Sequence, residues 1–230
     1  MADEQMEISL FPLGLVLFPG MVQPLHIFEP RYREMTKRAL DGAGAFGVTL
    51  ALAESVFGRE VPARVGSMAR ILDYQRLPDG RYNLLTVGAR RFEIIETFHD
   101  QPYQRARVRF LSEGLGYGPV AQLERSARAL LADYLAIVLA DSESAEGGKR
   151  GITIPDDPIE LSYFIAVLLP CEDPVKQTLL EAVTAGDRLA LELDLLRLEA
   201  AHARECVELA AEEPASSPRK TDGLPPSGRR

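Results

Sequence analysis

The spacing of the apolar residues changes near residue 115, and this change constrains the fold more than any other feature of the chain. Before it, short segments alternate between apolar and polar residues, which is the period of a half-buried β-strand; after it, apolar residues recur every three or four positions, as in an amphipathic helix. The order predicts an α+β protein with a β-rich subdomain over 1–115 and a helical subdomain over 116–211. The remaining 212–230, rich in Pro, Ser, Gly and Arg, is expected to be a disordered tail.

The β-rich part shows three local signals. Arg105–Phe110 alternates strictly between apolar and arginine side chains and predicts a strand with one wet face. Two further strands flank Leu77–Gly80, where Pro presets φ, Asp can bond its own backbone and Gly accepts a positive φ, so a hairpin is expected. Between 67 and 77 the alternation slips, which predicts a bulge or a strand buried on both faces. Both occur where a sheet curls towards closure, and a small barrel is therefore expected.

Helix boundaries are marked by Pro, Gly and capping residues. Pro30 and Gly42 bracket one helix inside the β-rich part, and Pro119 opens a stripe of apolar residues that continues to Val138. Asp157-Pro158 and Asp173-Pro174 each read as a cap followed by Pro.

The last helix is predicted from Asp187 to Ala211, with Thr184 and Asp187 as a capping pair. Leu189, Leu193 and Leu196 form one stripe. A second stripe consists of Leu191, Leu195 and Leu198. We therefore expect most of the circumference of this helix to be buried against other elements. Whether it also mediates self-association is left open.

Charge and hydropathy exclude some classes of partner. Lys and Arg number 26 and Asp and Glu 34, so the formal net charge is −8, which opposes non-specific nucleic-acid binding. The stripe of Arg105, Arg107 and Arg109 could contact phosphates, but the acidic body favours ion pairs with acids such as Glu93 or Glu96. The start is acidic and no apolar run reaches the length of a membrane span, so a cytoplasmic protein is expected.

Catalytic and metal motifs are not apparent. Residues 147–151, Gly-Gly-Lys-Arg-Gly, lack the spacing and hydroxyl of a phosphate-binding loop. The three His and two Cys residues form no pattern typical of a metal or nucleophile site. Asp156-Asp157 is better explained by helix capping than by paired carboxylates. We therefore expect a non-enzyme without metal or cofactor.

Leu10–Gly20 and Pro24–Tyr32 resemble the opening of the Lon substrate-binding domain family. The likeness extends over about 7–197, through Gly66–Ile71, the hairpin turn, Arg90-Arg91-Phe92, Leu168–Pro170, Lys176-Gln177 and Leu179–Glu181. It implies a PUA-like β pseudo-barrel followed by a C-terminal helical bundle. In full-length Lon proteases this domain engages unfolded or tagged polypeptides, while separate ATPase and Ser-Lys protease modules act on them. The domain is also similar to the N-terminal part of cereblon-type adaptors, where it does not catalyse.

Because the chain ends before either catalytic module, we expect a free-standing, non-catalytic module that binds exposed apolar polypeptide segments. It would serve as an adaptor in protein quality control, with a Lon-type protease as a possible partner. The apolar, Pro-rich segment 10–28 motivates this hypothesis. Two alternatives remain open: an RNA-binding PUA-like module that uses the arginine stripe, and an undetected hydrolase.

The candidate contact residues for a bound polypeptide are Phe18, Pro19, His26, Phe28 and Arg31. Each has a plainer explanation. Phe18 and Phe28 would be core residues, Pro19 would form the turn, and Arg31 would pair with Glu34.

Overall fold

The structure, a computed structural model, describes residues 5–54, 60–142 and 152–212. Within these residues, six strands and one helix precede four further helices, in agreement with the predicted α+β class. The elements are β1 (Gln5–Leu13), β2 (Val22–Ile27), α1 (Pro30–Asp41), β3 (Ala45–Glu54), β4 (Glu60–Arg76), β5 (Tyr82–Phe98), β6 (Arg105–Phe110), α2 (Val120–Ser142), α3 (Pro158–Leu168), α4 (Asp173–Glu181) and α5 (Ala185–Glu212). The predicted disordered tail, beyond 212, and the loop at 143–151 lie outside the described residues.

The sheet closes into a barrel. Its strand order is β2-β5-β4-β3-β1-β6, and β6 also pairs with β5, so β1, β3, β4, β5 and β6 form a ring. β1 and β3 are parallel and are joined through β2 and α1, whereas the other pairs are antiparallel. The ring can close because β5 is long: its first part pairs with β2 and its last part pairs with β6. The predicted small barrel is confirmed.

Bulges bend the strands where the alternation of the sequence slips. The β4–β5 register shifts between Ser67 and Ala69 and again between Ile71 and Asp73. Each shift inserts an unpaired residue, which bends and twists the strand. Both lie in the segment for which a bulge was predicted.

The predicted hairpin turn joins β4 to β5. Leu77 N–H donates to the Arg81 carbonyl over 2.8 Å, and Gly80 has a φ of 83°. The Asp79 carboxylate accepts from Arg81 N–H over 3.1 Å. The turn therefore uses Asp and Gly in the roles that the sequence assigns to them.

Helix capping agrees with the sequence at two starts and differs at the third. The Asp157 carboxylate accepts from the N–H groups of Ile159 and Glu160, and Thr184 and Asp187 cap α5 reciprocally. The prediction that Asp173 caps α4 is wrong. Glu172 occupies that position without a side-chain capping bond, because the helix has already begun at Asp173.

The prediction that both leucine stripes of α5 are covered is also wrong in part. Leu189, Leu193 and Leu196 are buried, but Leu191 and Leu198 of the second stripe are 44% and 65% exposed. The neighbouring helices pack against one side of α5, so the second stripe lies largely outside the core. Similarly, the predicted α2 stripe ends in an exposed Val138.

One apolar core is shared by the barrel and the helices. Phe18, from the loop after β1, is fully buried with Leu161 and Ile165 of α3 and Leu189 of α5. A second core fills the barrel on the side of α1, around Met35 and Phe46. The two halves of the chain are therefore packed on each other.

Two buried arginines connect the barrel to the helices. Arg91 of β5 is 1% exposed, and its Nη1 donates to the carbonyls of Leu180 and Ala182 over 2.6 and 2.7 Å. Its Nε and Nη2 bind the Glu113 carboxylate over 2.7 and 3.0 Å. Because Leu180 lies in the last turn of α4, Ala182 directly follows that helix and Glu113 follows β6, this one guanidinium fixes three segments relative to one another.

Arg188 of α5 completes this cluster from the helical side. Its Nε donates to the Leu179 carbonyl over 2.9 Å, its Nη1 to Ser162 Oγ over 2.7 Å, and its guanidinium lies 3.9 Å from the centre of the Tyr163 ring. Its Nη2 is 3.9 Å from the Glu113 carboxylate. Both buried cations thus have hydrogen-bond partners, which burial of a charge requires.

Replacing Arg91 by Ala is expected to lower the free energy of unfolding by about 3–5 kcal/mol, because it leaves the Glu113 carboxylate without its cation and the Leu180 and Ala182 carbonyls without their donor. Arg107→Ala is the matched control. Its ion pair with Glu96 is exposed to solvent, so the loss should stay below about 1 kcal/mol. Urea unfolding of both variants measures the difference. Equal losses would show that Arg91 does not join the two halves.

Glu192 of α5 gives the protein a pH-dependent stability. Its side chain is fully buried, neither carboxylate oxygen has a hydrogen-bond partner among the described residues, and burial raises its pKa well above the ordinary value, with Arg188 opposing the shift. The folded state therefore holds this proton more tightly than the unfolded state does. The resulting stability is fully present below the unfolded pKa and is lost as the pH rises through the folded pKa.

Glu192→Gln removes this titration, so its stability relative to the wild type is expected to increase as the pH rises above about 4.5. Urea unfolding of both proteins at a series of pH values measures the difference. Glu205→Gln makes the same substitution at an exposed position of the same helix and serves as the control. If the difference between Glu192→Gln and the wild type did not change with pH, the assignment to Glu192 would be contradicted.

Candidate functional site

β2 lies at one end of the strand order and pairs with β5 alone among the described strands. Its side chains alternate, so Val22, Pro24 and His26 face outwards, and Phe28 directly after the strand is exposed as well. Leu85 of β5 lies opposite Pro24 and is also exposed. We call Val22, Pro24, Phe28 and Leu85 the apolar strip. Val22 and Phe28 are 54% and 60% exposed, so a partner can reach them.

Polar contacts hold the outer face of β2 in place. His26 Nδ1 lies 2.6 Å from Asn83 Oδ1, and its Nε2 lies 3.2 Å from Nη1 of Arg81. An amide oxygen accepts and a guanidinium donates, so the two contacts together fit a ring with its proton on Nδ1. The His26 ring stacks on that of Phe28, with centroids 6.2 Å apart. His26 therefore orients the exposed aromatic ring.

Arg31 lies at the start of α1 but not in the predicted pair. Its guanidinium binds Glu60 through Nη2 over 2.7 Å and through Nη1 over 3.2 Å, and its Nε binds Glu29 over 2.9 Å. Glu34 pairs with Arg38 instead. Burial opposes ionisation of Glu60, but the hydrogen bonds from Arg31 outweigh it and hold the pKa of that carboxyl below its usual value. Arg31 thus anchors α1 to the start of β4.

Phe18 and Pro19 differ in their access to a partner. Phe18 is fully buried, and its ring centroid lies 6.4 Å from that of Tyr163, so in this structure it is a core residue and not a contact. Pro19 is half-buried in a tight turn closed by a hydrogen bond from Met21 N–H to the Phe18 carbonyl. Phe28 is 60% exposed, so the alternative that it is a core residue is wrong.

A cleft of about 720 Å³ separates this turn from α3. The barrel contributes one wall and α3 the other; they comprise Pro19, Gly20, Met21, Val22, Gly88, Ala89, Ile159, Glu160, Tyr163, Phe164 and Val167, with Glu113 and Pro155 between them. Val22 belongs to both the cleft and the apolar strip. Sequence reasoning missed this cleft. The available signal was α3 itself, which carries apolar side chains around most of its circumference.

Gly88 allows the barrel wall of the cleft to form. A Cβ at this position would lie 2.0 Å from the Phe18 carbonyl oxygen. The close approach is held by hydrogen bonds from Gly20 N–H to the Gly88 carbonyl and from Gly88 N–H to the Met21 carbonyl, each 2.9 Å. The turn and β5 can therefore touch only because position 88 has no side chain.

The arginine stripe of β6 is paired with acids, as the sequence analysis favoured. Arg105 binds Glu7 and Asp100 over 2.6 and 2.8 Å, and Arg107 binds Glu96 over 2.8 Å. Arg109 binds Glu93 in the same way. The stripe is therefore a set of ion pairs across the outer surface of the barrel.

Nucleophile and metal chemistry find little support in the described residues. No three His, Cys, Asp or Glu side chains there lie close enough to hold a metal ion. Burial raises the pKa of the Cys171 thiol, which disfavours the reactive thiolate. None of the helices within the described ranges has the length and apolar character needed to cross a bilayer.

Comparison with protein families shows one match that covers most of the chain. Residues 7–197 match the model of the ATP-dependent protease La (LON) substrate-binding domain. Among curated proteins, Lon protease 1 of Hydrogenovibrio crunogenus is 30% identical over 213 residues, with 85% of this chain and 25% of that protein covered. Lon protease of Brevibacillus choshinensis is 29% identical over 210 residues, covering 88% and 26%. The chain thus spans about a quarter of the length of these relatives.

Solved structures show the same fold. The Lon N-terminal domain protein from Xanthomonas campestris superposes with a TM-score of 0.62 at 25% identity, covering 82% of this chain and 98% of that one. The N-terminal domain of Mycobacterium avium complex Lon protease gives a TM-score of 0.62 at 17% identity, covering 84% and 98%. This likeness confirms the barrel-plus-helices architecture.

Gly88→Ala is expected to lower the free energy of unfolding by about 1–3 kcal/mol, because the added methyl group must push the Phe18 backbone away from β5. Gly14→Ala is the control, since a Cβ there meets no atom within 4 Å. Thermal unfolding of the two variants measures the effect. A Gly88→Ala protein as stable as the control would show that the turn can move aside freely.

Proposed function

Because the chain belongs to the family of ATP-dependent protease La (LON) substrate-binding domains, we propose that it is a non-catalytic module that binds exposed apolar segments of other polypeptides. The observation that carries the proposal is the apolar strip, a set of exposed apolar side chains along β2, just beyond it and on the paired strand β5. Clustered apolar side chains of this kind, rimmed by polar residues, are typical of protein-binding surfaces.

The energetics favour binding through these side chains. Burial of apolar surface stabilises by about 25 cal/mol per Å², and aromatic anchors contribute most of the affinity in many interfaces. Phe28 is already oriented by the stacked His26 ring, and Leu85 stands on a strand paired on both sides. Little conformational entropy is therefore lost when a partner covers the strip.

The free edge of β2 is less suited to binding than its face. Pro24 has no N–H group to donate to an added strand, and its carbonyl already accepts from Gln23 Nε2 over 3.0 Å. Addition of a partner strand along this edge would thus lack hydrogen bonds in the middle. We infer that partners contact the side chains of the apolar strip, not the backbone of β2.

In the cell, this binding would serve protein quality control in the cytoplasm, with the module acting as an adaptor that hands polypeptides to a Lon-type protease. The named relatives are Lon proteases, which supports the partner class. Both cysteines are free, as is usual in a reducing compartment. The RNA-binding alternative was motivated by the arginines of β6. These arginines form ion pairs with acidic side chains, so the described residues give that alternative no support.

The proposal predicts that Phe28→Ala and Leu85→Ser each weaken binding of a reduced, carboxymethylated unfolded protein about tenfold or more, since each removes an anchor worth roughly 1.4 kcal/mol. Fluorescence anisotropy with the labelled unfolded protein measures the affinity. Leu198→Ser is the control, because Leu198 is at least as exposed as Phe28 and Leu85 but lies on α5. Unchanged affinity in both strip variants, at unchanged thermal stability, would refute the proposed surface.

A further inference from the structure

We propose that the cleft beside the apolar strip receives a large apolar side chain of the bound polypeptide and that Glu160 at its rim selects a basic residue next to that side chain. This inference rests on the proposed function and names the class of segment that is recognised: apolar and cationic, not apolar and acidic.

The cleft continues the apolar strip. Val22 belongs to both, so a polypeptide lying on the strip is led directly to the cleft opening. The side walls are apolar and include Met21 from the barrel and Ile159, Phe164 and Val167 from α3. At about 720 Å³ the cleft falls within the usual size of ligand sites and has room for an aromatic ring.

The walls are held rigidly, so the cleft is formed before a partner arrives. On the barrel side, Gly88 locks the Phe18–Met21 turn to β5 through two backbone hydrogen bonds. On the helical side, the Asp157 carboxylate caps the start of α3. Between the two walls, Arg91 holds Glu113 by two hydrogen bonds. A preformed site loses little free energy to ordering on binding.

The charges that line the cleft determine which residue accompanies the apolar side chain. Both oxygens of Glu113 are engaged by Arg91, so its charge is already neutralised. Glu160 is exposed, and none of the ion pairs among the described residues includes it. It lies in the first turn of α3, where the helix dipole favours a carboxylate. Glu160 is therefore the available charge, and its complement is Lys or Arg.

A neighbouring cation, Arg128, is not available to pair with Glu160. Arg128 of α2 binds the carbonyls of Pro155 and Asp156 over 2.7 and 2.6 Å and the Glu124 carboxylate over 3.0 Å. It is thus occupied in fixing the chain that leads to α3. The overall charge of −8 adds a long-range attraction for basic segments and repels acidic ones.

The test uses three labelled peptides that share one Phe in an otherwise Ala- and Ser-containing sequence and differ in the residue after it, Lys, Ala or Glu. Fluorescence anisotropy with the full chain should show tightest binding for the Lys peptide and weakest for the Glu peptide, at least tenfold apart. Glu160→Lys should reverse this order. Glu205→Lys is the matched control, because it makes the same change of charge at an exposed position of α5.

A second variant tests the cleft itself. Val167→Phe fills part of it from the α3 side, and it should weaken binding of the Lys peptide about tenfold while leaving binding of a Phe-free Lys peptide unchanged. Equal effects of Glu160→Lys and Glu205→Lys would overturn the inference, since the preference would then come from net charge alone. So would an unchanged affinity in Val167→Phe.

Failure of the inference is distinguishable from failure of the proposed function. If the wild-type chain binds the unfolded protein through the apolar strip but binds none of the peptides, or binds them without preference, the cleft has no such role and the strip retains its own. If the unfolded protein does not bind at all, both are refuted.

Discussion

The hydrogen bonds of the buried Arg91 guanidinium determine how the two halves of this protein meet. Arg91 belongs to the barrel, but it donates to carbonyls at the C-terminal end of α4 and binds Glu113 in the segment that leads to the helices. A cation with almost no exposed surface must have its donors satisfied, so these segments can lie in few other arrangements. The shared core around Phe18 then packs against a joint whose geometry is set by hydrogen bonds. The position of α3, and with it the cleft, follows from that joint.

Closure of the barrel explains why an apolar surface remains outside it. β5 is long enough to pair with β2 over Tyr82–Val87 and with β6 over Phe92–Phe98, so the ring closes through β6 and leaves β2 at an edge. One face of β2 covers the inner core, and its other face carries the apolar strip into solvent. The same connection thus produces a stable barrel and a surface with unused apolar area. The proposed recognition of polypeptides rests on this surplus.

Local structure could be predicted closely, and the exposure of individual side chains could not. The β6 strand, the turn at Gly80 and the Asp157 cap agree with the sequence because each depends on residues within a few positions of one another. By contrast, Phe18 and Phe28 look alike in the sequence, yet one is fully buried and the other exposed. The pairing of Arg31 was wrong for a related reason, since Glu60 is distant in the sequence and adjacent only in the fold.

The sequence by itself determined the class of fold, the order of strands and helices, and the family resemblance, since the apolar period and the capping and turn residues act over short distances along the chain. Only the tertiary structure decided which apolar residues remain outside, that Leu198 is left uncovered on α5, and that a cleft with Glu160 at its rim opens between the turn and α3. These features depend on the separation of surfaces that are far apart in the chain. Packing and buried hydrogen bonds set that separation, and no local pattern records it.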